Sequence, residues 1–219
     1  LLDSNHKPVS QTCWYPAHNV MNTFTTDATG TVTLPESLVP GTYYVRETSA
    51  KEPYLVGEEI EVNIPADINL TPVAIASYYD RAATGNIRIV KTNAVDGSSL
   101  AGAIFEIRAS GDIVRPDGGI AGEACANNLP LGSGTARYEV VETQAPTGFL
   151  LDRTSHIVDL TYADQKTPVV EARLNVSDDY TKVDISKVDA SGEQEVEGAR
   201  LTLYGPDKTE IDSWTSSDK

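Results

Sequence analysis

The feature that most constrains the fold is an internal repeat with a period of about 95 residues. Val-Arg-Glu-Thr at 45–48 returns as Val-Val-Glu-Thr at 140–143, 95 positions later, and a tyrosine stands two positions before the first valine in each copy. Two further pairs of segments repeat at 96 positions, namely 87–91 with 183–187 and 100–103 with 196–199. A unit of this length fits one small β-sandwich and is too long for a solenoid repeat or a propeller blade. The chain is therefore expected to consist of tandem copies of one module.

Short runs within each copy alternate apolar and polar residues, as at 43–46, 60–64 and 87–90. A period of two residues is typical of strands that bury one face. Turn-forming clusters such as Asp96-Gly97 and Pro146-Thr147-Gly148 separate the runs, and no convincing amphipathic helix is present. The pattern predicts an all-β fold in which each module is an immunoglobulin-like β-sandwich.

The phase of the repeat predicts where the modules begin. If each module opens on the strand that carries Lys91 or Lys187, the middle module covers residues 84–180 and has a complete set of strands. Residues 1–83 then form a module that lacks its first strand, and residues 181–219 form the N-terminal part of a third module.

Composition argues against several classes of function. The 32 acidic and 17 basic residues give a net charge of -15, which repels nucleic acid and anionic lipid. No apolar run is long enough to span a bilayer, so membrane insertion is not expected.

Cys13 and Cys125 lie in different modules, so a disulfide framework is not expected and small modules need another source of stability. His6, His18 and His156 are scattered, and we expect no metal or other cofactor.

Four segments carry a resemblance to a known family. They are Leu-Ala-Gly-Ala-Ile-Phe-Glu-Ile at 100–107, Leu-Pro-Leu-Gly at 129–132, Ile-Ser-Lys-Val-Asp at 185–189, and 138–150 with its order Glu-Thr-Gln-Ala-Pro-Thr-Gly-Phe. At these residues the chain resembles the collagen-adhesin B-type (CnaB) domains, also called SpaA-like or prealbumin-like, of Gram-positive surface proteins and pilins. The resemblance implies prealbumin-like β-sandwich modules in a secreted protein at the cell surface or cell wall of a Gram-positive bacterium.

Many members of that family form an intramolecular isopeptide bond between a lysine in the first strand and an asparagine or aspartate in the last, assisted by a glutamate on a middle strand. The chemistry suits buried groups. Burial disfavours the charged form of an amine and so makes it nucleophilic, and it keeps a glutamate protonated so that it can pass protons. In the middle module the resemblance implies Lys91 as the nucleophile, Glu142 as the proton shuttle and Asn175 as the electrophile.

Asp178 is the alternative to Asn175, because it also lies near the end of the last strand and a one-residue shift in register exchanges the two faces. Asn175 is preferred because it follows Glu142 by 33 residues, a separation that recurs between Glu47 and Asp80 in the first module.

The flanking modules hold incomplete sets of these groups. Glu47 and Asp80 are the counterparts in the first module, and Lys187 is the counterpart in the third. The remaining partners of each set lie outside this sequence, so neither flanking module is expected to close a bond of its own.

These observations predict a structural stalk or adhesive segment, with neighbouring modules of the same parent chain as its partners and no enzyme activity on an outside substrate. An alternative is a module that binds a host matrix protein or glycan, for which Trp14, Tyr15, Tyr78 and Tyr79 are candidate contact residues. Another alternative is a pilin shaft subunit. Residues 14–19 look like the pilin motif that supplies a polymerising lysine, but Ala17 stands at that position.

Overall fold

The chain folds into strands joined by turns and loops. The structure, a computed structural model, describes residues 1–67, 76–109, 112–114, 117–118, 122–183, 185–192, 194 and 196–217. The described residues contain strands and no helix, which confirms the predicted all-β class. It follows that no helix in this part of the chain could cross a bilayer. The chain divides into two compact units, Leu1–Asp179 and Tyr180–Lys219.

The larger unit contains a two-sheet sandwich that begins at Thr84. One sheet has the order β12-β5-β9-β8, built from Val169–Asp178, Thr84–Asn93, Glu123–Pro130 and Asp117–Gly118. The other has the order β11-β10-β6-β7, built from His156–Thr161, Thr135–Gln144, Ile104–Ala109 and Asp112–Val114. Strands β5 and β12, the first and last of the sandwich, pair in parallel, and the other pairs are antiparallel.

Alternation along the strands decides which side chains form the core. In β5, Ile87 and Ile89 are fully buried while Arg88 between them is exposed. Lys91 continues the inward set and is also buried. Each fully buried isoleucine contributes roughly 1.5–3 kcal/mol. The rest of the core comes from both sheets and includes Phe105, Ile107, Leu129, Leu131, Tyr138, Val140, Val158, Leu160 and Val176.

The N-terminal part of the same unit has two antiparallel hairpins. Strands β1 (Gln11–Cys13) and β2 (Asn19–Met21) form the first, and β3 (Gly41–Val45) and β4 (Ile60–Ile64) form the second. Leu2 extends the second hairpin, because its N–H donates to Tyr44 O at 2.8 Å and its carbonyl accepts from Tyr44 N at 3.0 Å.

A loop at residues 50–56, here called the docking loop, joins this N-terminal part to the sandwich. Ala83 N donates to Pro53 O at 2.8 Å, and Leu55 N donates to Arg81 O at 3.0 Å. The side chain of Leu55 packs against the core of the sandwich. The N-terminal part therefore shares apolar packing with the sandwich.

Gln165, in the turn between β11 and β12, holds the docking loop from the other side. Its Nε2 donates to Ala50 O at 2.8 Å and to Ser49 Oγ at 3.2 Å. Its main-chain carbonyl accepts from Val56 N at 3.1 Å. These contacts limit motion of the loop against the sandwich.

The smaller unit contains one antiparallel hairpin, formed by β13 (Arg200–Tyr204) and β14 (Glu210–Thr215). Its turn is closed by Gly205 N, which donates to Thr209 O at 2.8 Å. Ser216 pins the base of the hairpin, because its Oγ donates to Val196 O at 2.6 Å and accepts from Ala199 N at 2.9 Å.

Candidate cross-linking site

Three ionisable side chains meet inside the sandwich. Lys91 of β5 donates from Nζ to Oδ1 of Asp178 at the end of β12, and the same Nζ lies 2.9 Å from Oε1 of Glu142 on β10. The side chains of Lys91, Glu142 and Asp178 are only 2%, 1% and 0% exposed. Two neighbouring parallel strands thus supply the amine and one carboxyl group, and the facing sheet supplies the other carboxyl group.

The register of β5 and β12 brings the amine and the aspartate together. Lys91 pairs with Val176, and Asp178 pairs with Asn93. Val176 and Asp178 lie two positions apart on β12, and side chains at this spacing share a face of the strand. Because Val176 pairs with Lys91, both Lys91 and Asp178 point inward. The ring of Phe105 closes the site, with its centroid 5.6 Å from the lysine Nζ.

The electrostatics of the site favour a neutral Glu142. Burial raises the pKa of Glu142 above its ordinary value, and the nearby Asp178 raises it further, against the opposing effects of Lys91 and of a hydrogen bond from Asp152 N. A buried amine with two buried carboxylates would leave one negative charge uncompensated in the core. A proton on Glu142 removes that charge.

Two carboxyl oxygens in the site lack aligned donors. Among the described residues, Glu142 Oε1 and Asp178 Oδ2 are buried without a hydrogen-bond partner, although Oε1 is 2.9 Å from the lysine Nζ. Unsatisfied buried acceptors are costly. If Glu142 carried its proton on Oε1, this atom could donate a hydrogen bond to Asp178.

The preference for Asn175 is corrected by the structure. Asn175 lies on the exposed face of β12, where its Oδ1 accepts from Arg173 Nε at 3.1 Å, whereas Asp178 lies inside against Lys91. The two candidates are separated by an odd number of residues, so a strand points them to opposite faces. The signal that identifies Asp178 was present in the sequence, since the apolar residues Leu174 and Val176 occupy the same alternating set.

Glu47 of the N-terminal part repeats half of this arrangement. Its Oε2 accepts from Gly57 N at 2.6 Å, and Glu142 Oε2 accepts in the same way from Asp152 N at 2.9 Å, in both cases ten residues later. No ion pair reaches Glu47 from any residue that the structure describes.

Tyr78, and not Asp80, is the downstream residue that lies close to the Glu47 site. A Cβ placed on Gly57 would be 2.9 Å from the Tyr78 ring, and the Tyr78 hydroxyl donates to Val45 O. Asp80 is exposed, and among the described residues it makes no hydrogen bond or ion pair with Glu47. The role of Asp80 as a counterpart of the cross-linking group stays a prediction.

Lys187 is exposed in the smaller unit. Its Nζ donates to the neighbouring Val188 O at 3.4 Å, and within the described ranges no carboxylate pairs with it.

The aromatic residues proposed as ligand contacts differ in their exposure. Trp14, Tyr15 and Tyr79 are 72%, 86% and 90% exposed, whereas Tyr78 is half-buried. No cluster of metal-ligating side chains occurs among the residues described.

The two-sheet fold agrees with a comparison against protein-family models. The model of the SpaA domain, described as a prealbumin-like fold domain, matches residues 2–76 and 85–174. The chain belongs to this family. The two matched ranges cover the N-terminal part and the middle sandwich separately, so the SpaA domain occurs twice within the larger unit.

The solved structures that resemble this chain share little sequence with it. The Bacillus anthracis TIE protein is 19% identical with a TM-score of 0.59, and the match covers 99% of this chain and 40% of that one. The shaft pilin spaA of Lactobacillus rhamnosus GG is 15% identical with a TM-score of 0.34, covering 76% of this chain and 72% of that one. The minor pilin GBS52 of Streptococcus agalactiae is 11% identical with a TM-score of 0.39, covering 72% and 91%.

The chain thus spans less than half the length of the TIE protein. No curated protein matches the sequence.

Proposed function

We propose that this chain is a load-bearing, non-enzymatic segment of a secreted surface protein, and that an isopeptide bond between Lys91 and Asp178 cross-links its middle module. The observation that carries the proposal is the buried cluster of Lys91, Asp178 and Glu142, which joins the first and last strands of the sandwich. The resemblance to Gram-positive surface proteins supports a location of the parent protein at the cell wall, where the repeated modules would form a stalk.

The proposed reaction is a condensation within the core. The reactive form of the Lys91–Asp178 pair has a neutral amine and a protonated carboxyl group. In this form Lys91 Nζ attacks Cγ of Asp178, and a C–N bond forms as the carbonyl electrons move to oxygen. Glu142 gives a proton to the departing hydroxyl group and takes one from the nitrogen, so it ends as it began. An amide forms, one water molecule leaves and no oxidant or cofactor is needed.

The position of the proposed bond explains how it would stabilise the module. Lys91 and Asp178 are 87 residues apart. By analogy with the chain-entropy model for disulfides, closing such a loop contributes about 4 to 5 kcal/mol. Tension applied at Thr84 and after Asp178 would pass through the cross-link, so the strands between Lys91 and Asp178 would be shielded from it.

Intact mass of the folded 219-residue chain tests the proposal. We expect the mass to be about 18 Da below that calculated from the sequence, the mass of one water molecule, and a digest to contain a branched peptide joining Lys91 to Asp178. A Lys91→Met variant should show its full calculated mass. A folded wild-type chain with an unchanged mass would contradict the cross-linking proposal.

A ligand-binding module is the second candidate function. Trp14 and Tyr15 project from the β1–β2 hairpin, with the Trp14 ring edge-on to His18 at a centroid distance of 4.8 Å. Exposed neighbouring aromatics are common contacts for glycans and proteins. Binding to a panel of glycans and matrix proteins, lost in a Trp14→Ala/Tyr15→Ala variant and kept in a Tyr79→Ala variant, would favour this role. Equal binding by the wild type and the double variant would exclude this hairpin.

A further inference from the structure

The main-chain amide of Asp152 contacts the proposed proton shuttle directly. Asp152 N donates to Oε2 of Glu142 at 2.9 Å, while Oε1 of the same carboxyl group lies 2.9 Å from Lys91 Nζ. The two oxygens of Glu142 therefore have different surroundings. One faces a fixed N–H donor, and the other faces the groups that would react.

The segment that presents this amide is fixed by contacts of its own. Asp152 Oδ1 accepts from Thr154 N at 2.8 Å, and Oδ2 lies 2.8 Å from His156 Nε2. Leu150 N donates to Asp179 O at 3.0 Å, just after the last strand. Contacts on both sides of residue 152 thus hold its N–H toward the core.

The N-terminal part contains the same contact at a glycine. Gly57 N donates to Glu47 Oε2 at 2.6 Å, again ten residues after the glutamate. Because glycine has no side chain, the shared element is the main-chain N–H. Because the contact is present at both Glu47 and Glu142, we attribute it to the fold of the module rather than to the sequence of one loop.

We propose that the main-chain amide of Asp152 is a positioning group for the cross-linking reaction and fixes which oxygen of Glu142 carries the proton. The inference rests on the proposed function. The carbonyl oxygen of a protonated carboxyl group is a better acceptor than its hydroxyl oxygen, so the N–H donating to Oε2 favours the form in which Oε2 is the carbonyl oxygen and the proton is on Oε1. From Oε1 the proton reaches the departing hydroxyl group of Asp178, and the proton lost by Nζ returns to the same oxygen.

The test measures the rate of water loss in the full chain. The chain is made by cell-free synthesis, portions are quenched in denaturing acid at intervals, and intact mass gives the fraction that has lost about 18 Da. In the first variant the α-hydroxy analogue of aspartate replaces Asp152, so an ester oxygen stands in place of the N–H and the side chain is kept. The second variant is Asp152→Pro, which also removes the N–H. The matched control places the α-hydroxy analogue of lysine at Lys166, which removes an N–H that donates to a different carboxylate, Oδ1 of the exposed Asp164, at 2.7 Å.

The expected rates separate positioning from a general loss of structure. The ester variant should react about tenfold more slowly than the wild type, since a hydrogen bond to an ionisable carboxyl group is worth about that factor or more. The ester at Lys166 should leave the rate within about twofold of the wild type, because this N–H does not contact Glu142. Equal rates for the ester variant and the wild type would overturn the inference, and the ester variant decides the outcome if Asp152→Pro does not fold.

The pH profile supplies a readout that damaged packing would not move. An N–H donor favours the ionised carboxylate, so its removal raises the pKa of Glu142. The rate should therefore fall at a higher pH in the ester variant than in the wild type. A slower reaction with an unshifted profile would overturn the positioning role. A wild-type chain that never loses water would overturn the proposed function itself, and this inference with it.

Discussion

Lys91 and Glu142 approach each other from opposite sheets of one sandwich, with 2.9 Å between Nζ and Oε1. Asp178 completes the contact from the strand that pairs with the lysine strand. Burying three ionisable groups costs free energy unless they satisfy one another. Condensation of the amine with Asp178 would replace a charged pair by one neutral amide, which removes most of that cost.

The identity of the electrophile predicts a change in the leaving group. An Asp178→Asn chain should lose about 17 Da, the mass of ammonia, where the wild type loses about 18 Da. An Asn175→Asp chain should behave as the wild type, because position 175 faces solvent. Intact mass distinguishes these results. Loss of the mass change in the Asn175→Asp variant, with Asp178 intact, would contradict the assignment.

The stability of a Lys91→Met chain should fall as the pH rises. Burial raises the folded pKa of Glu142 above its unfolded value near 4.5, so the folded state holds this proton more tightly. The stabilisation is fully present below the unfolded pKa and is lost as the pH rises through the folded pKa. Removing Lys91 enlarges the shift, because the amine lowers this pKa.

Calorimetry of the Lys91→Met chain between about pH 4.5 and 8 should therefore show a falling Tm. A Lys91→Met/Glu142→Gln chain serves as the control, because it keeps the remaining acidic surface and lacks this titration. Parallel Tm curves for the two variants would show that Glu142 does not hold a raised pKa.

Gln165→Ala should loosen the docking loop at residues 50–56. The substitution removes hydrogen bonds to Ala50 O and Ser49 Oγ, each worth about 1 kcal/mol. Amide hydrogen exchange at Val56, whose N–H donates to Gln165 O, should become about tenfold faster. Gln144→Ala is the control, since its side chain makes only a 3.4 Å contact with Gly102 O. Unchanged exchange at Val56 would mean that apolar packing alone holds the loop.

Gly85→Ala should destabilise the larger unit by about 1–3 kcal/mol, because the core there is already filled. A Cβ at Gly85 would lie 2.5 Å from Leu160 Cδ1 and 3.1 Å from Leu131 Cδ2. Urea unfolding measures the effect. Adding Leu160→Val should recover part of the lost stability, because the smaller side chain makes room for the new Cβ. A Gly85→Ala chain as stable as the wild type would show that the core relaxes freely.

Much of the fold could be predicted from the sequence, because the alternation of apolar and polar residues along a strand depends only on neighbouring positions. Alternation in β5 separates Ile87 and Ile89 from Arg88, and the structure buries them as that pattern predicts. The SpaA family assignment likewise followed from motifs at 100–107 and 138–150.

Spacing between distant residues was a poorer guide. The separation of 33 residues that favoured Asn175 was copied from Glu47 and Asp80, and the structure exposes both Asn175 and Asp80. Equal spacing along the chain therefore does not ensure an equivalent position in the fold. The Asp152 amide was missed because a main-chain donor leaves no residue-type signal in a sequence.

The sequence by itself determined the repeat, the strand pattern and the residue types that can form a cross-link, because these depend on neighbours along the chain. Only the tertiary structure decided that Asp178 meets Lys91 and that Glu142 reaches both from the facing sheet. It also decided that Tyr78 lies beside the Glu47 site. The reason is that the parallel register of β5 and β12 and the packing of one sheet on the other join residues far apart in the chain, and those distances follow from the whole core rather than from any segment.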